Sequence, residues 1–370
     1  MATFSAEDRT AIQDAVRRLL ADRSSEADVR RTMETPSGYD TDLWAQLSEM
    51  GVVGLTVDEA YGGSGAGPVE LELIMEDVGA ALLCSPLLGS GVLAAELVGA
   101  LGDDAAKTRL LPGIASGQTI AAAGLTGDAG LWTAEGVDVR ASETGGRWSL
   151  EGSASFVIHG QNATLLLVLA NTPRGLGVFQ VDPAAAGVAI AALPTFDHTL
   201  RLARIAFTGA PATLLAGSGD VWTAVQQALN LTLVALAGEQ AGGSRKVLDF
   251  TVDYAKSRIQ FGRAIGSFQA VKHMASDLLL ESESAISAAR NAAAKLAEGA
   301  PDAAAAISLA AFACKDAFST TTATAIQMHG GIAFTWAHPA HLYLRRARAD
   351  AQLFGTAAAH RERYITQLGG

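Results

Sequence analysis

The sequence predicts a mainly α-helical protein with a central β domain. Apolar residues recur with a helical period in the first third and the last part of the 370-residue chain. From about Thr119 that period gives way to short runs rich in Val, Ile, Leu and Phe. We therefore divide the chain into an N-terminal helical domain (1–117), a middle β domain (118–216) and a C-terminal helical bundle domain (217–370).

The first third contains several helix start and stop signals. Ser5 and Asp8 form a capping-box pattern before a run that places apolar residues on one helical face. A second helix is predicted to end at Gly51. The glycine-rich stretch 61–68 reads as a loop, and Pro68 suits the first turn of the helix that follows.

The middle segment carries strand signals without intervening helices. Runs such as RWSLEGSASFVIHG, ATLLLVLANT and LRLARIAFTG are bounded by Gly, Pro, Asn or Asp. Because no helix separates them, an antiparallel sandwich or barrel is expected rather than a parallel sheet. Long helical patterns then return over residues 220–256, 267–299 and 301–329, and the last of these ends at Gly330-Gly331.

Composition excludes several classes of function. The net charge of −11 argues against a nucleic-acid-binding surface or an anionic-membrane surface. No secretion signal and no membrane-spanning run is apparent, and two isolated cysteines fit a cytoplasmic, reducing environment. His338 and His341 have no further ligands at metal-site spacing, so no metal is expected.

Two segments carry most of the functional information. RIQFGRAIGSFQAVKH (258–273) combines a guanidinium, an aromatic ring and a glycine-containing loop before a helix, which are the parts needed to bind a pyrophosphate and a stacked ring. QMHGG (327–331) ends a helix in two glycines, which would let a flat ligand approach the backbone. The alternative for both is structural, namely a surface turn and a helix C-cap.

With these motifs the chain resembles the acyl-CoA dehydrogenase family over almost its whole length. RIQFGRAIGSFQAVKH matches the family's R-x-x-F-G…FQ pattern, QMHGGIAF matches Q-x-x-GG-x-x-F, and YGGSGAG matches its N-terminal loop. The resemblance implies an N-terminal helical domain, a β-barrel-like middle domain and a C-terminal four-helix bundle. It also implies an oligomer with FAD at a subunit interface, bound in part by the neighbour's Arg258, Phe261, Gln269, Gln327, Gly330 and Gly331.

The resemblance implies an oxidoreductase of fatty acid or steroid catabolism. In the family, a carboxylate removes the α proton of an acyl-CoA thioester, a β hydride passes to the flavin, and electrons continue to an electron-transfer flavoprotein. An acyl-CoA oxidase shares the fold but passes its electrons to oxygen.

The positions that usually carry the base depart from the family pattern. Counting from the glycine pair, Phe354 stands where the usual Glu precedes Gly-Thr, and Thr232 stands at the alternative position on the preceding helix. Neither side chain can accept a proton from carbon at neutral pH. Ala337, where many relatives of this type carry Glu, is no base either. Asp220 and Glu239 remain candidates for a relocated base, with a structural carboxylate as the alternative for Glu239.

The middle domain also departs from the family pattern. Family members read roughly T-E-P-x-x-G-S-D and W-I-T near the flavin ring, whereas this chain has LTGDAGLW (125–132) and FVI (156–158). The chain is therefore similar to the non-catalytic (beta) subunits of actinobacterial heterotetrameric members, which complete the FAD site of a Glu-bearing partner. The alternatives are a self-sufficient homo-oligomer with a relocated base and a purely structural partner subunit.

Overall fold

The structure is a computed structural model that describes residues 4–101, 103–217 and 221–369. The N-terminal helices are α1 (Ala6–Arg23), α2 (Glu26–Met33), α3 (Thr41–Glu49), α4 (Pro68–Ala80), α5 (Ala95–Ala100) and α6 (Asp104–Ala115), with a π-helical segment at Leu88–Ala94. The predicted capping box is present, because the Ser5 hydroxyl accepts from the Asp8 N–H and the Asp8 carboxylate accepts from the Ser5 N–H. Pro68 opens α4 as predicted.

The middle segment folds into a small barrel. Its strands are β1 (Ala121–Gly124), β2 (Arg140–Thr144), β3 (Arg147–Ile158), β4 (Leu165–Thr172), β5 (Gly175–Val181), β6 (Val188–Ala192) and β7 (Leu202–Ala216). Strands β4, β2, β3, β7 and β5 close into a ring because β5 pairs back with β4, and β6 pairs with β7. The pairings are antiparallel except those of β4 with β1 and with β2.

The barrel interior is apolar. Leu150, Leu166 and Phe179 have no exposed surface, and Phe207 is 2% exposed. Around Leu150 and Phe207 buried residues alternate with more exposed ones, as expected for a sheet with one buried face, whereas the strand around Leu166 is buried on both faces. The expectation of an antiparallel barrel is therefore confirmed, with two parallel pairings added.

The C-terminal part is helical. It consists of α7 (Val221–Ser257), α8 (Gln269–Ala297), α9 (Ala303–His329), α10 (Ala340–Asp350) and α11 (Ala357–Gln367), with a small hairpin of β8 (Ile259–Gln260) and β9 (Arg263–Ala264) between α7 and α8. Helix α9 packs against α8, α10 and α11. Leu248 of α7, Leu278 of α8 and Met328 of α9 form a shared apolar cluster. The predicted order of helical, β and helical regions is confirmed.

Packing groups the chain into two compact units. One comprises Met1–Phe4, Thr32–Gly67 and Cys84–Thr232, and the other comprises Ser5–Arg31, Pro68–Leu83 and Leu233–Gly370. The units follow packing rather than chain order, so the boundaries at residues 117 and 216 stay predictions. Among the described helices, α7 alone is long and apolar enough to cross a membrane, but 72% of its most apolar stretch is buried inside the protein, as in an ordinary core helix.

Glycines let α4 and α7 approach closely. A Cβ atom on Gly79 would lie 1.8 Å from the backbone oxygen of Glu239, and one on Gly242 would lie 1.8 Å from that of Glu76. These distances are shorter than any allowed contact, so both positions require glycine. The small residues Gly79 and Gly242 thus allow the backbones of α4 and α7 to come into direct contact.

Glu72 of α4 is a carboxyl group that burial keeps protonated. It is 1% exposed, while its neighbour Glu76 binds Arg290 through two hydrogen bonds of 2.8 and 2.9 Å. Burial, and then the charge of Glu76, raise the pKa of Glu72 from 4.5 to about 9.

The folded state should therefore lose stability as pH rises between these two pKa values, because the unfolded chain releases this proton and the folded chain retains it. We expect Glu72→Gln to flatten the pH dependence of the free energy of unfolding between about pH 5 and about pH 8. Urea unfolding at both pH values measures the change in the free energy of unfolding. The exposed Glu281→Gln is the control, and equal slopes in both variants would contradict the assignment.

Candidate flavin site and base positions

The loop of the first motif is a tight β-hairpin. Strands β8 and β9 are joined by Phe261 and Gly262, whose φ angles are 52° and 75°. Two consecutive positive φ angles define a type I′ turn, which Gly262 favours and which matches the twist of the strands. The turn holds the Phe261 ring at its tip, where 92% of the residue is exposed. An aromatic ring is thus presented to a ligand or to another subunit.

Arg258 precedes this hairpin directly. Its backbone N–H donates to the Tyr254 carbonyl at the end of α7 at 2.8 Å, and its side chain is exposed. No ion pair within the described residues engages its guanidinium. Gln269 begins α8 and is also exposed, and the N-cap residue, Phe268, has no side chain that could cap the helix. The first N–H groups of α8 are therefore open to an anion.

The second motif ends α9 with an open backbone. Gly330 has φ 68° and ψ −148°, a conformation almost restricted to glycine. A Cβ atom on Gly330 or Gly331 would meet nothing within 4 Å, and Gln327 is exposed in the last turn of α9. The glycines therefore leave a bare surface against which a flat or phosphate-bearing group could lie.

Tyr254 connects the two motifs, a role that sequence reasoning missed. Its carbonyl accepts from Arg258, its hydroxyl donates to the carbonyl of His329 at 3.4 Å, and its ring stacks on the His329 imidazole with centroids 4.4 Å apart. His329 immediately precedes Gly330. Burial lowers the pKa of His329, so the stacked imidazole is neutral. An aromatic residue one helical turn before Arg258 was the available signal.

These groups fit the adenosine and pyrophosphate portion of FAD. A free guanidinium, an uncapped helix N-terminus and a bare glycine backbone suit phosphate oxygens, and an exposed ring suits stacking. The fit rests on the exposure of Arg258, Phe261 and Gln269 and on the open backbone surface at Gly330.

Alanine substitutions at Gly330 and Gly331 should show whether backbone conformation, and not lack of space, requires glycine at position 330. Gly330→Ala forces a side chain into a glycine-only conformation and should lower the free energy of unfolding by about 1–3 kcal/mol. Gly331→Ala, which has neither positive φ nor a close neighbour, should change it by about 0.5 kcal/mol or less. Chemical denaturation of both variants measures the difference, and equal losses would show that Gly330 is not strained.

Neither usual base position holds a proton acceptor. Thr232 has no exposed surface, and its hydroxyl donates to the Ala228 carbonyl of its own helix at 2.7 Å. Phe354 is 3% exposed and has φ 58°. Ala337 is exposed and carries no ionisable group. Asp220, the other candidate base, lies outside the described residues.

A buried lysine holds the turn around Phe354. The Lys315 ammonium donates to the Leu353 carbonyl at 2.8 Å and to the Gly355 carbonyl. Burial lowers the pKa of Lys315 to about 8, so it is mainly charged at neutral pH. Lys315 therefore holds the carbonyls on both sides of Phe354. The buried side chain at this position is apolar, where the family pattern has a carboxylate.

Glu239 lies in a buried ion pair. Its carboxylate accepts from the Arg346 guanidinium at 2.7 Å, and the two side chains are 5% and 4% exposed. Arg346 also donates to the Leu83 carbonyl at 3.2 Å. A base must be free to reach a substrate proton, whereas this carboxylate neutralises a buried cation. The geometry favours the structural alternative for Glu239.

In the middle domain, polar groups near the expected flavin-ring segment bind one another. The Thr126 hydroxyl donates to the Leu131 carbonyl at 2.7 Å. Asp128 accepts two hydrogen bonds from Arg204, at 2.8 and 2.9 Å, and one from the Ser155 hydroxyl. Arg204, and then Ser155, lower the pKa of Asp128 to about 2. Asp128 and Arg204 thus engage each other at the exposed surface of the barrel.

His338 and His341 lie in an aromatic cluster. The His338 ring is 4.4 Å from that of His329, and the His341 ring is 4.5 Å from that of Trp336. Across the described residues, no group of three His, Cys, Asp or Glu side chains could hold a metal ion.

Comparison with known proteins identifies the family. The profile of the acyl-CoA dehydrogenase N-terminal domain matches residues 6–118, and that of the acyl-CoA dehydrogenase C-terminal domain matches residues 219–368. The chain therefore belongs to the acyl-CoA dehydrogenase family, whose members are FAD-dependent oxidoreductases acting on acyl-CoA thioesters. The fold expected from the sequence resemblance is confirmed.

Individual members of the family are similar to this chain over nearly its whole length. Acyl-CoA dehydrogenase IpdE2 of Mycobacterium tuberculosis is 34% identical over 350 residues, covering 94% of this chain and 93% of the relative. IpdE2 of Mycolicibacterium smegmatis is 32% identical over 94% of this chain and 95% of the relative. The solved ChsE4-ChsE5 complex from M. tuberculosis superimposes with a TM-score of 0.90 at 27% identity, covering 100% of this chain and 99% of that chain.

Proposed function

We propose that this chain is the base-free subunit of a hetero-oligomeric acyl-CoA dehydrogenase. In this assembly it completes the FAD site of a second subunit that carries the catalytic carboxylate. The observation that carries the proposal is an asymmetry within the chain. Its exposed motifs hold a guanidinium, an aromatic ring and an open glycine backbone suited to the adenosine and pyrophosphate of FAD, whereas both base positions hold buried side chains that cannot accept a proton.

Each residue of the flavin motifs has a role in this proposal. Arg258 binds the pyrophosphate, Phe261 lies against the adenosine portion, and Gln269 supports it from the start of α8. Gln327, Gly330 and Gly331 line the path of the pyrophosphate. Tyr254 positions both motifs through its contacts with Arg258 and His329. Bound FAD supplies the hydride acceptor for 2,3-desaturation of the acyl-CoA.

Exposed apolar side chains near the second motif support a subunit interface. Phe334 is 78% exposed, Trp336 is 52% exposed and Ile332 is 42% exposed. They follow Gly330-Gly331 directly, and Phe261 adds a further exposed ring at the first motif. Clustered exposed apolar groups beside a binding motif are typical of a surface that another chain covers.

The relatives support the same assignment. ChsE4-ChsE5 is a complex of two named components, and a chain of that complex is aligned with the full length of this protein. A steroid acyl-CoA dehydrogenase is another structural neighbour, at 27% identity and a TM-score of 0.88. By this analogy the substrate class is a steroid-derived or fatty acyl-CoA thioester. An electron-transfer flavoprotein is the proposed electron acceptor.

The test is dehydrogenation by this chain alone, by its genomic neighbour alone and by the co-expressed pair. Steroid-type and fatty acyl-CoA substrates are assayed with an artificial electron acceptor. We expect turnover from the pair only, and loss of turnover when the partner's base carboxylate is replaced by the amide. Full turnover by this chain alone would overturn the proposal, and Glu239→Gln would then be the next variant.

A further inference from the structure

A cavity of about 640 Å³ lies beside the second flavin motif, because the ring of His338 in its lining is 4.4 Å from that of His329. It is enclosed by α1, α2, α4, α7 and α10, all within the second compact unit. None of the flavin-motif residues lines it. Its volume lies in the range of small-molecule sites in proteins.

The floor of the cavity is apolar. It includes Leu20 of α1, Phe250 of α7, and Leu342 and Tyr343 of α10. The Tyr343 hydroxyl donates to the Ala80 carbonyl at 2.7 Å, so it is already bonded and the ring presents only apolar surface. Such a floor suits the hydrocarbon part of a ligand.

The carboxylates that line the cavity already have cationic partners. Asp77 accepts from Arg17 at 2.9 Å, and Glu26 accepts from Arg30 at 2.7 Å. They therefore offer little attraction for a cationic ligand.

Two hydrogen-bond donors in the lining have no such partner. Within the described residues, no ion pair engages the exposed Lys246 ammonium. His338 accepts the Ala340 N–H on Nδ1 at 3.2 Å, which leaves its Nε2 to carry the proton. A cation and an N–H donor thus line the same cavity as the apolar side chains.

From this combination we propose that the cavity binds an anionic amphiphile, namely a carboxylate with a hydrocarbon tail such as a medium-chain fatty acid. The tail lies on Leu20, Phe250 and Leu342. The carboxylate accepts hydrogen bonds from Lys246 Nζ and His338 Nε2. The proposal goes beyond the dehydrogenase activity, and the cavity lining contains none of the residues assigned to flavin binding.

Isothermal titration of the full-length chain with octanoate tests the site. We expect saturable binding with a Kd below about 1 mM, weakened about tenfold by Lys246→Gln, since a charge-assisted hydrogen bond is lost. Octanamide, which has the same tail and no charge, should bind about tenfold more weakly than octanoate. Ala21→Phe, at an exposed lining position, should obstruct binding by occupying the cavity.

The matched control is Lys256→Gln, an exposed lysine on the same helix outside this cavity. It should bind octanoate as the wild type does. Absence of saturable binding, equal affinity for octanamide, or equal effects of Lys246→Gln and Lys256→Gln would each overturn the proposal. Circular dichroism confirms that the variants are folded, so a loss of binding reports the site.

Discussion

Arg258→Ala should strip FAD from the assembled oligomer while leaving the chain folded. The guanidinium is exposed, free of ion pairs among the described residues and placed directly before the hairpin that leads to the open N-terminus of α8. An arginine–phosphate contact is charge-assisted and often bidentate, so its loss should weaken FAD retention by about 10- to 100-fold. The measurement is FAD per oligomer after gel filtration, beside a thermal melt.

Arg263→Ala is the matched control for this variant. Arg263 lies in the same hairpin, but its guanidinium stacks on the Phe268 ring at 4.0 Å. It should therefore keep most of the flavin. Unchanged FAD content in Arg258→Ala, at protein concentrations that preserve the oligomer, would show that this loop does not bind the pyrophosphate.

Arg346→Met should cost about 3–5 kcal/mol of unfolding free energy. The side chains of Arg346 and Glu239 are 4% and 5% exposed, and removing the guanidinium takes this ion pair away from a buried carboxylate. The free-energy cost of keeping this charge out of water can be relieved only by protonation of Glu239 or by local opening of the structure. Urea denaturation with the lone chain measures the loss.

A double variant separates the cost of breaking the buried ion pair from the cost of lost packing. Arg346→Met combined with Glu239→Leu removes both charges, and it should be less destabilised than Arg346→Met alone. If the double variant loses as much as the sum of the two single variants, the pair is not coupled. A structural pair also predicts that Glu239→Gln lowers stability, whereas a free base would leave stability nearly unchanged.

Local signals in the sequence were sufficient for the order of helical and β regions and for several helix ends, whereas the fold itself followed from the family resemblance. Ser5 and Asp8, Pro68 and Gly330 each act within one helical turn, so their motifs identify helix ends directly. Barrel closure was not accessible in the same way. The pairing of β5 with β7 joins residues far apart in sequence, such as Val178 and Ala216, and alternation alone does not specify a strand's neighbours.

The site residues also divide into those that local sequence identifies and those that only tertiary packing brings together. Arg258 and the glycine pair belong to contiguous motifs, which is why they could be recognised before the structure. The contact of Tyr254 with His329 and the ion pair of Glu239 with Arg346 form only when separate helices pack. Sequence spacing could therefore offer Glu239 as a base, but only packing reveals its buried cationic partner.

Flavin stoichiometry tests the central claim most directly. The complex of this chain with its Glu-bearing partner is purified, and the flavin absorbance is compared with the amount of each chain. A subunit that completes a partner's site predicts one FAD per pair of unlike chains, and little or no FAD in this chain purified alone. One FAD per copy of this chain in a lone, active homo-oligomer would contradict the account.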